Sequence, residues 1–389
     1  MKRGLRIVFA GYLVRCPTGG YMWQVAHYLL GLRALGHDAW FYEDNGQWAE
    51  AYNPETGECA NRYDYGLAAA ADFFNRIDIA DRWVFADIVR GAEHGPAAGS
   101  ARSLLREADL LVNFGGANRI PLERRRGRPT VYVDSDPGYT QLKLESGDQS
   151  ARATLDEHTH LFTFGENIGT PRSPIPTGGY TWHPTRQPIV THLWEKAPSP
   201  GPAYTTVGKW DSLGRDITYQ GEVYSWRKRS EFLRFIDLPA RTGMMLELAM
   251  NVDCVAGDSE LLASHGWRVV DPVAVSRDPW RYRDYVCGSR AEFSAAKDIN
   301  VRLRSGWFSD RSACYLAAGR PVVLQDTGFG DVLPLGPGLH AVHNVEEAAE
   351  AVRAIEADYD RAGAHAKEVA RELLAAERVV GQLLQVAGL

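Results

Sequence analysis

Two short stretches carry side chains whose types and spacing could do polar chemistry. Asp134-Ser135-Asp136 sets two carboxylates one residue apart, after the apolar run 130–133 and before Pro137-Gly138. Such a pair at a strand end supports three readings. It could hold a divalent cation on a diphosphate, act as the general base that removes a hydroxyl proton, or cap its own turn. The second stretch is Ser309-Asp310-Arg311-Ser312, an N-cap followed by an apolar run through Tyr315 and Leu316. A helix N-terminus offers unpaired N–H groups and the positive end of a dipole, so it suits a phosphate. Arg311 and the hydroxyls of Ser309 and Ser312 would strengthen such a site. Lys209 and Lys297 are further cations beside strand-like runs. His183 is a rival base, and Arg186 could clamp a phosphate or be a surface charge.

These residues need elements to position them, and the pattern is α/β throughout. Residues 306–330 read as loop, short helix, tight turn, buried strand and glycine loop. Gly319 takes the helix C′ place and Pro321 blocks continuation. Residues 321–324 form a continuous apolar run, as in a strand covered on both faces. The loop Gln325-Asp326-Thr327-Gly328 then lies at the carboxyl end of a parallel strand, where open α/β sheets bind ligands. Earlier, a strand at 5–10 leads through Gly19-Gly20 into a helix at 22–35 and a strand at 38–42. Strands at 110–114, 130–133 and 160–164 each end in polar or glycine residues. One rim is thereby expected to hold Gly19, Gly20, Gly115, Asp134, Asp136, Glu166 and Asn167.

Periodicity breaks over 177–188, and 198–202 is rich in Pro, Ser and Gly. The expected division is a first domain at 1–195, a linker at 196–202, a second domain at 203–365 and a terminal helix at 366–389. In the second domain, strands are expected at 203–207, 244–249, 267–270 and 300–303. Helices are expected at 258–263, around 291–297, at 345–355 and at 364–386. Aromatic residues crowd 44–100 (Trp48, Tyr52, Tyr63, Tyr65, Trp83), as core or as the wall of a pocket.

The stretch AAGRPVVLQDTGFG resembles the donor-binding half of a GT-B glycosyltransferase, and the Gly-Gly turn with LxxxGHxAxFY resembles the opening of its amino-terminal domain. The resemblance implies a GT-B fold, with two Rossmann-like βα domains facing a central cleft and a closing helix that crosses back to the first domain. It implies transfer of a sugar from a nucleotide-diphosphate donor, UDP or dTDP in type, to a small-molecule (natural-product type) or glycan acceptor. The implied donor side comprises Lys209, Lys297, Ser309, Asp310, Arg311, Ser312, Asp326, Thr327 and Gly328. The acceptor side comprises Gly19, Gly20, Glu166 and Arg186, with Asp134, Asp136 and His183 as candidate catalytic groups. Helix N–H groups and basic side chains would stabilise the leaving group without a metal or cofactor. An epimerase, a phosphorylase and a catalytically silent partner subunit are alternatives on the same fold. Two motif sets depart from the pattern. The paired glutamates of retaining families would fall on Gly306 and Cys314, and the histidine motif of inverting natural-product enzymes would begin at Gly306.

Composition narrows the class further. The chain has 389 residues, enough for about two domains, with 45% hydrophobic and 24% charged residues. A net charge of −6 argues against nucleic-acid binding, and the basic run at 123–126 reads as a solvated loop. Five scattered cysteines without CxxC spacing suggest reduced thiols, a cytoplasmic setting and no structural zinc. The first apolar run is too short for a signal peptide, and no run is long enough to span a membrane. Monomer and homodimer are both compatible with this composition.

Overall fold

The structure is a computed structural model that describes residues 4–120, 127–195, 197–212 and 214–389. The basic run at 123–126 lies outside the described residues.

The continuous apolar runs become buried parallel strands, because helices cover both faces of each sheet and leave no face for polar alternation. The first sheet uses β1 (Arg6–Ala10), β2 (Asp38–Asp44), β5 (Trp83–Asp87), β6 (Ala92–His94), β7 (Leu110–Phe114), β8 (Thr130–Asp134), β9 (His160–Thr163) and β10 (Trp182–Pro184). A small hairpin, β3 (Ala51–Asn53) with β4 (Glu58–Ala60), stands apart from it. The strand order is β10-β9-β8-β7-β1-β2-β5-β6, parallel except where β6 turns back on β5. The second sheet uses β11 (Ala203–Val207), β14 (Met245–Ala249), β15 (Trp267–Val270), β16 (Ala291–Ser294), β17 (Val322–Gln325) and β18 (Leu339–Val342). Its order is β15-β14-β11-β16-β17-β18, and every neighbour is parallel. A second hairpin, β12 (Ile217–Tyr219) with β13 (Glu222–Tyr224), follows β11.

Both sheets build outward from their first strand, to one side and then to the other. Chain direction therefore reverses between β1 and β7, and again between β11 and β16. Loops leaving the carboxyl ends of those pairs diverge and leave a crevice, which is where such sheets bind ligands.

Three expected elements differ. Residues around 291–297, expected helical, form β16 instead. Its buried Glu292 meets Arg311, so tertiary pairing overrides the helix preference of Ala and Glu. Residues 300–303, expected as a strand, belong to the short helix Asp298–Arg302. The long terminal helix is interrupted. The helix Tyr359–Val369 passes into a π-turn at Ala370–Leu374, then breaks at Ala375 before the helix Ala376–Val386. The chain near Ile189 causes the break. Ile189 N donates to Leu374 O at 2.7 Å and Ala376 N donates to Ile189 O at 2.8 Å. Beyond the break, Ala376–Val386 packs on the helix Gly19–Ala34. A Cβ at Gly31 would stand 2.8 Å from the Ala376 Cβ, so the crossing needs glycine there.

The loop after β1 is held by one buried side chain. The Glu43 carboxylate accepts from Leu13 N and Val14 N at 2.7 Å each, from Arg15 N at 3.0 Å and from Arg15 Nε at 2.9 Å. Both Arg15 and Glu43 are buried. Replacing Glu43 by Ala strands the guanidinium and three N–H groups, with an expected cost of about 3–5 kcal/mol in urea unfolding. A variant as stable as the parent would show that the loop is held by something else.

Candidate functional site

The two crevices face one another, and side chains of the two halves meet between them. On the first half, the Glu43-anchored loop presents Tyr12, whose ring lies edge-on to Tyr21 with centroids 4.8 Å apart. Trp48 stands 6.5 Å from Tyr12, half exposed, with the Arg15 guanidinium 4.6 Å over its ring. Burial raises both phenol pKa values, and the Asp136 charge nearby raises them further. Together they form an aromatic shelf beside a carboxylate.

Asp134 and Asp136 have separate jobs. Asp134 is buried and accepts from Thr140 Oγ1 and Gln141 Nε2 at 2.9 Å and from Thr163 Oγ1 at 3.0 Å. It ties the turn after β8 to the helix Tyr139–Glu145 and to β9, and its oxygens are taken up by that work. Asp136 is open to the cleft. Its oxygens lie 3.4 Å from Lys297 Nζ and 3.8 Å from Arg215 Nη1, both from the second half. Among the described residues, no group of three or more His, Cys, Asp or Glu side chains is placed to hold a metal ion.

Opposite stands a cluster of cations at the reversal point of the second sheet. Lys209 follows β11 closely and Lys297 follows β16. The Lys297 Nζ sits 3.2 Å over the Trp226 ring, and burial lowers its pKa to about 8. Lys228 is buried, and burial together with Arg311 and Lys297 pulls its pKa well below the ordinary lysine value. Among the described residues no carboxylate forms an ion pair with it, and its ammonium lies 5.7 Å from the Trp307 ring. Across the cleft, the charge of Lys209 is felt at Cys16 on the first-half loop. A desolvated lysine without a counter-ion is costly, and a phosphate would offset that cost.

The helix Asp310–Ala317 contributes less directly than its sequence suggests. Arg311 lies beneath the site. It donates from Nε to Glu292 Oε1 at 2.5 Å, from Nη1 to Val207 O at 2.8 Å and from Nη2 to Ser294 Oγ at 2.8 Å. Its guanidinium therefore bolts the helix to β11 and β16 and has little left for a ligand. Ser309 is the N-cap residue but makes no side-chain cap bond. Ser312 is fully buried with an unpartnered Oγ. Asp310 places its carboxylate at the first turn, with its pKa raised by burial. An anion already at the helix N-terminus shifts the phosphate role to the lysines.

Other expected site residues hold the loop after β17 or the seam between the halves. Asp326 accepts from Gly328 N at 2.8 Å and Arg304 Nη1 at 3.1 Å. Thr327 Oγ1 donates to Trp307 O, and Gly328 O receives Asn167 Nδ2 at 3.0 Å. A Cβ at Gly328 would stand 2.6 Å from that nitrogen, at φ 84°, so the loop requires glycine. Glu166 and Arg186 form a two-point ion pair at 2.6 and 3.1 Å, and Arg186 reaches Val332 O. Gly19 and Gly20 begin their helix against Tyr282 of the second half, which a Cβ at Gly19 would meet at 2.5 Å. His183 is not in the cleft. It lies on the edge strand beside Phe162 and His160, with ring centroids 5.3 and 6.2 Å away, in a surface groove lined also by Asp156 and Tyr180.

The run Arg227-Lys228-Arg229 sets three cations side by side in the sequence. The structure chooses by pairing. Arg227 lies 3.3 Å from Asp211 and Arg229 takes both oxygens of Asp258, which leaves the middle cation aimed inward. Trp48 lies in the aromatic-rich stretch expected as core or pocket wall, whereas Arg215, Trp226, Tyr12 and Tyr21 carried no local signal.

No family model matches the sequence, and no curated protein matches it. Solved structures do match the fold. An alpha-glucosyltransferase in complex with UDP and a 13-mer DNA aligns with a TM-score of 0.59 at 8% identity, over 100% of each chain. Anabaena Alr3699/HepE in complex with UDP and glucose aligns at 0.54 and 11% identity, over 99% of each chain. AviGT4, a glycosyltransferase involved in avilamycin A biosynthesis, aligns at 0.51 and 10% identity, over 98% of this chain and 97% of its own. The chain has the GT-B fold.

Burial raises the Asp134 carboxyl from 3.8 to about 6. The folded chain then holds that proton more tightly than the unfolded chain, so stability falls as pH rises between those values. Asp134→Asn removes the titration. Between pH 4 and pH 6.5 the parent should lose stability relative to the variant, by at most roughly 3 kcal/mol. Parallel pH profiles from thermal melts of the two proteins would contradict this assignment.

Proposed function

We propose that the protein transfers a sugar from a nucleoside-diphosphate donor to a hydroxyl of a small-molecule or glycan acceptor. The observation that carries this reading is the convergence of Lys209, Lys228 and Lys297 at the reversal point of the second parallel sheet. The lysines would take the diphosphate, and UDP is the first nucleotide to test because UDP accompanies two of the aligned structures. As the sugar–phosphate bond breaks, negative charge builds on the leaving diphosphate. Ammonium groups fixed in a partly desolvated site stabilise that charge without reorganising, which is the work a divalent ion would otherwise do. The reading is therefore metal-independent.

The acceptor would lie on the shelf of Tyr12, Tyr21 and Trp48, with its hydroxyl donating a hydrogen bond to Asp136. Aromatic faces suit a sugar ring or a flat natural-product scaffold. One aligned protein was solved with DNA. A polyanion is a poor match here, because the chain carries a net charge of −6 and the shelf is a compact group of rings.

Titration with a panel of nucleoside diphosphates should raise the melting temperature with one clear responder. Lys228→Ala should weaken that binding by about 10- to 100-fold, the scale of a charge-assisted contact. Absence of any responder, or unchanged affinity in the variant, would refute the donor-site assignment.

A further inference from the structure

Asp136 reaches the cations of the second half from the first half, and its bonds to them are loose. Glu292 holds Arg311 at 2.5 Å, Asp258 holds Arg229 at 2.5 and 2.7 Å, and Asp298 accepts from Ser225 N at 2.9 Å. Each is a short bond within the second half. Asp136 comes from the first half, keeps 42% of its side chain exposed, and meets Lys297 and Arg215 at 3.4 and 3.8 Å. Tight charge-assisted bonds run at about 2.7–2.9 Å, so these two are weak and exchangeable. The cations themselves are well placed by other means. The Lys297 ammonium and the Arg215 guanidinium both lie over the Trp226 ring, at 3.2 and 5.8 Å, and Trp226 packs on Tyr139 at 4.9 Å. They would keep their positions if the carboxylate left.

We infer that Asp136 is an internal counter-anion of the donor site, pairing Lys297 and Arg215 until a nucleoside diphosphate displaces it. The inference rests on the donor site proposed above. A diphosphate brings more negative charge and more acceptor oxygens than one carboxylate, so it wins both cations. The displaced carboxylate is then repelled by the phosphates and left free beside Tyr12 and Tyr21, where an acceptor hydroxyl can bond to it. Donor binding and acceptor positioning are thereby coupled through a single side chain. The donor bears the cost, because each binding event must first break the two ion pairs.

Calorimetric titration of UDP into the parent protein, Asp136→Asn, Lys297→Met and the double variant tests this directly. Asp136→Asn should bind UDP about tenfold more tightly than the parent, although it removes a residue of the site. In the Lys297→Met background the same substitution should give a markedly smaller gain, because the main pairing is already gone. Equal or weaker UDP binding by Asp136→Asn overturns the inference while leaving the donor site standing. An undiminished gain in the Lys297→Met background also overturns it, since that marks a general field effect rather than competition. If the parent binds no nucleoside diphosphate, the donor site falls and this inference falls with it. Asp136 is half-exposed and loosely bonded, so its substitution should leave the melting temperature near that of the parent, which a thermal scan checks.

Discussion

The ion pair between Arg311 and Glu292 fixes the terms on which the rest of the cleft is built. Both groups are buried, and the close geometry offsets part of the cost of desolvating them, although Glu292 Oε2 has no hydrogen-bond partner. Val207 O and Ser294 Oγ take the other guanidinium nitrogens, so one side chain joins β11, β16 and the helix Asp310–Ala317. The pair also sets the charge of the site. Once Arg311 is neutralised from below, the lysines above it are left facing the cleft, with Asp136 3.4 Å from Lys297.

The facing wall obeys the same logic with backbone in place of side chains. Three successive N–H groups after β1 converge on Glu43, so the loop that carries Tyr12 is fixed from within the sheet. The halves are then joined by directional contacts. Asn167 reaches Arg304 O and Gly328 O, and Trp23 Nε1 donates to Pro279 O at 2.6 Å. Glycines mark this seam because backbone and side chains approach too closely there for a Cβ. At Gly19, Gly306 and Gly328 a Cβ would stand under 3.0 Å from a neighbour. Glycine residues that look like phosphate-loop chemistry in the sequence are, in these places, requirements of packing.

Function and stability thus draw on adjacent residues with opposite roles. In Asp134-Ser135-Asp136 the first carboxylate closes a turn and the second meets Lys297 and Arg215 of the second half. In Arg227-Lys228-Arg229 the outer cations are paired with carboxylates and the middle one is not. Neighbouring side chains point in different directions, so a cluster in sequence is sorted by what lies beyond it in space.

The sequence by itself determined the parallel strands, the strand-end loops that form the rim and the helix–turn–strand unit at 306–330. Those features follow from local causes, namely unbroken apolar runs, glycine at positive φ and proline where a helix must stop. It also marked Lys209, Lys297 and Asp136, which lie at the strand ends where such sheets bind ligands. Only the tertiary structure decided which charges were already committed. Glu292 turned an expected helix into a central strand because Arg311 was waiting for it. The chain at Ile189 split the terminal helix, and Phe162 with His160 took His183 to an outer edge. Each outcome depends on partners far away in the chain, such as Lys297 and Asp136 at a separation of 161 residues. Electrostatic pairing acts through space, and the order of residues along the chain does not encode that distance in any pattern read locally.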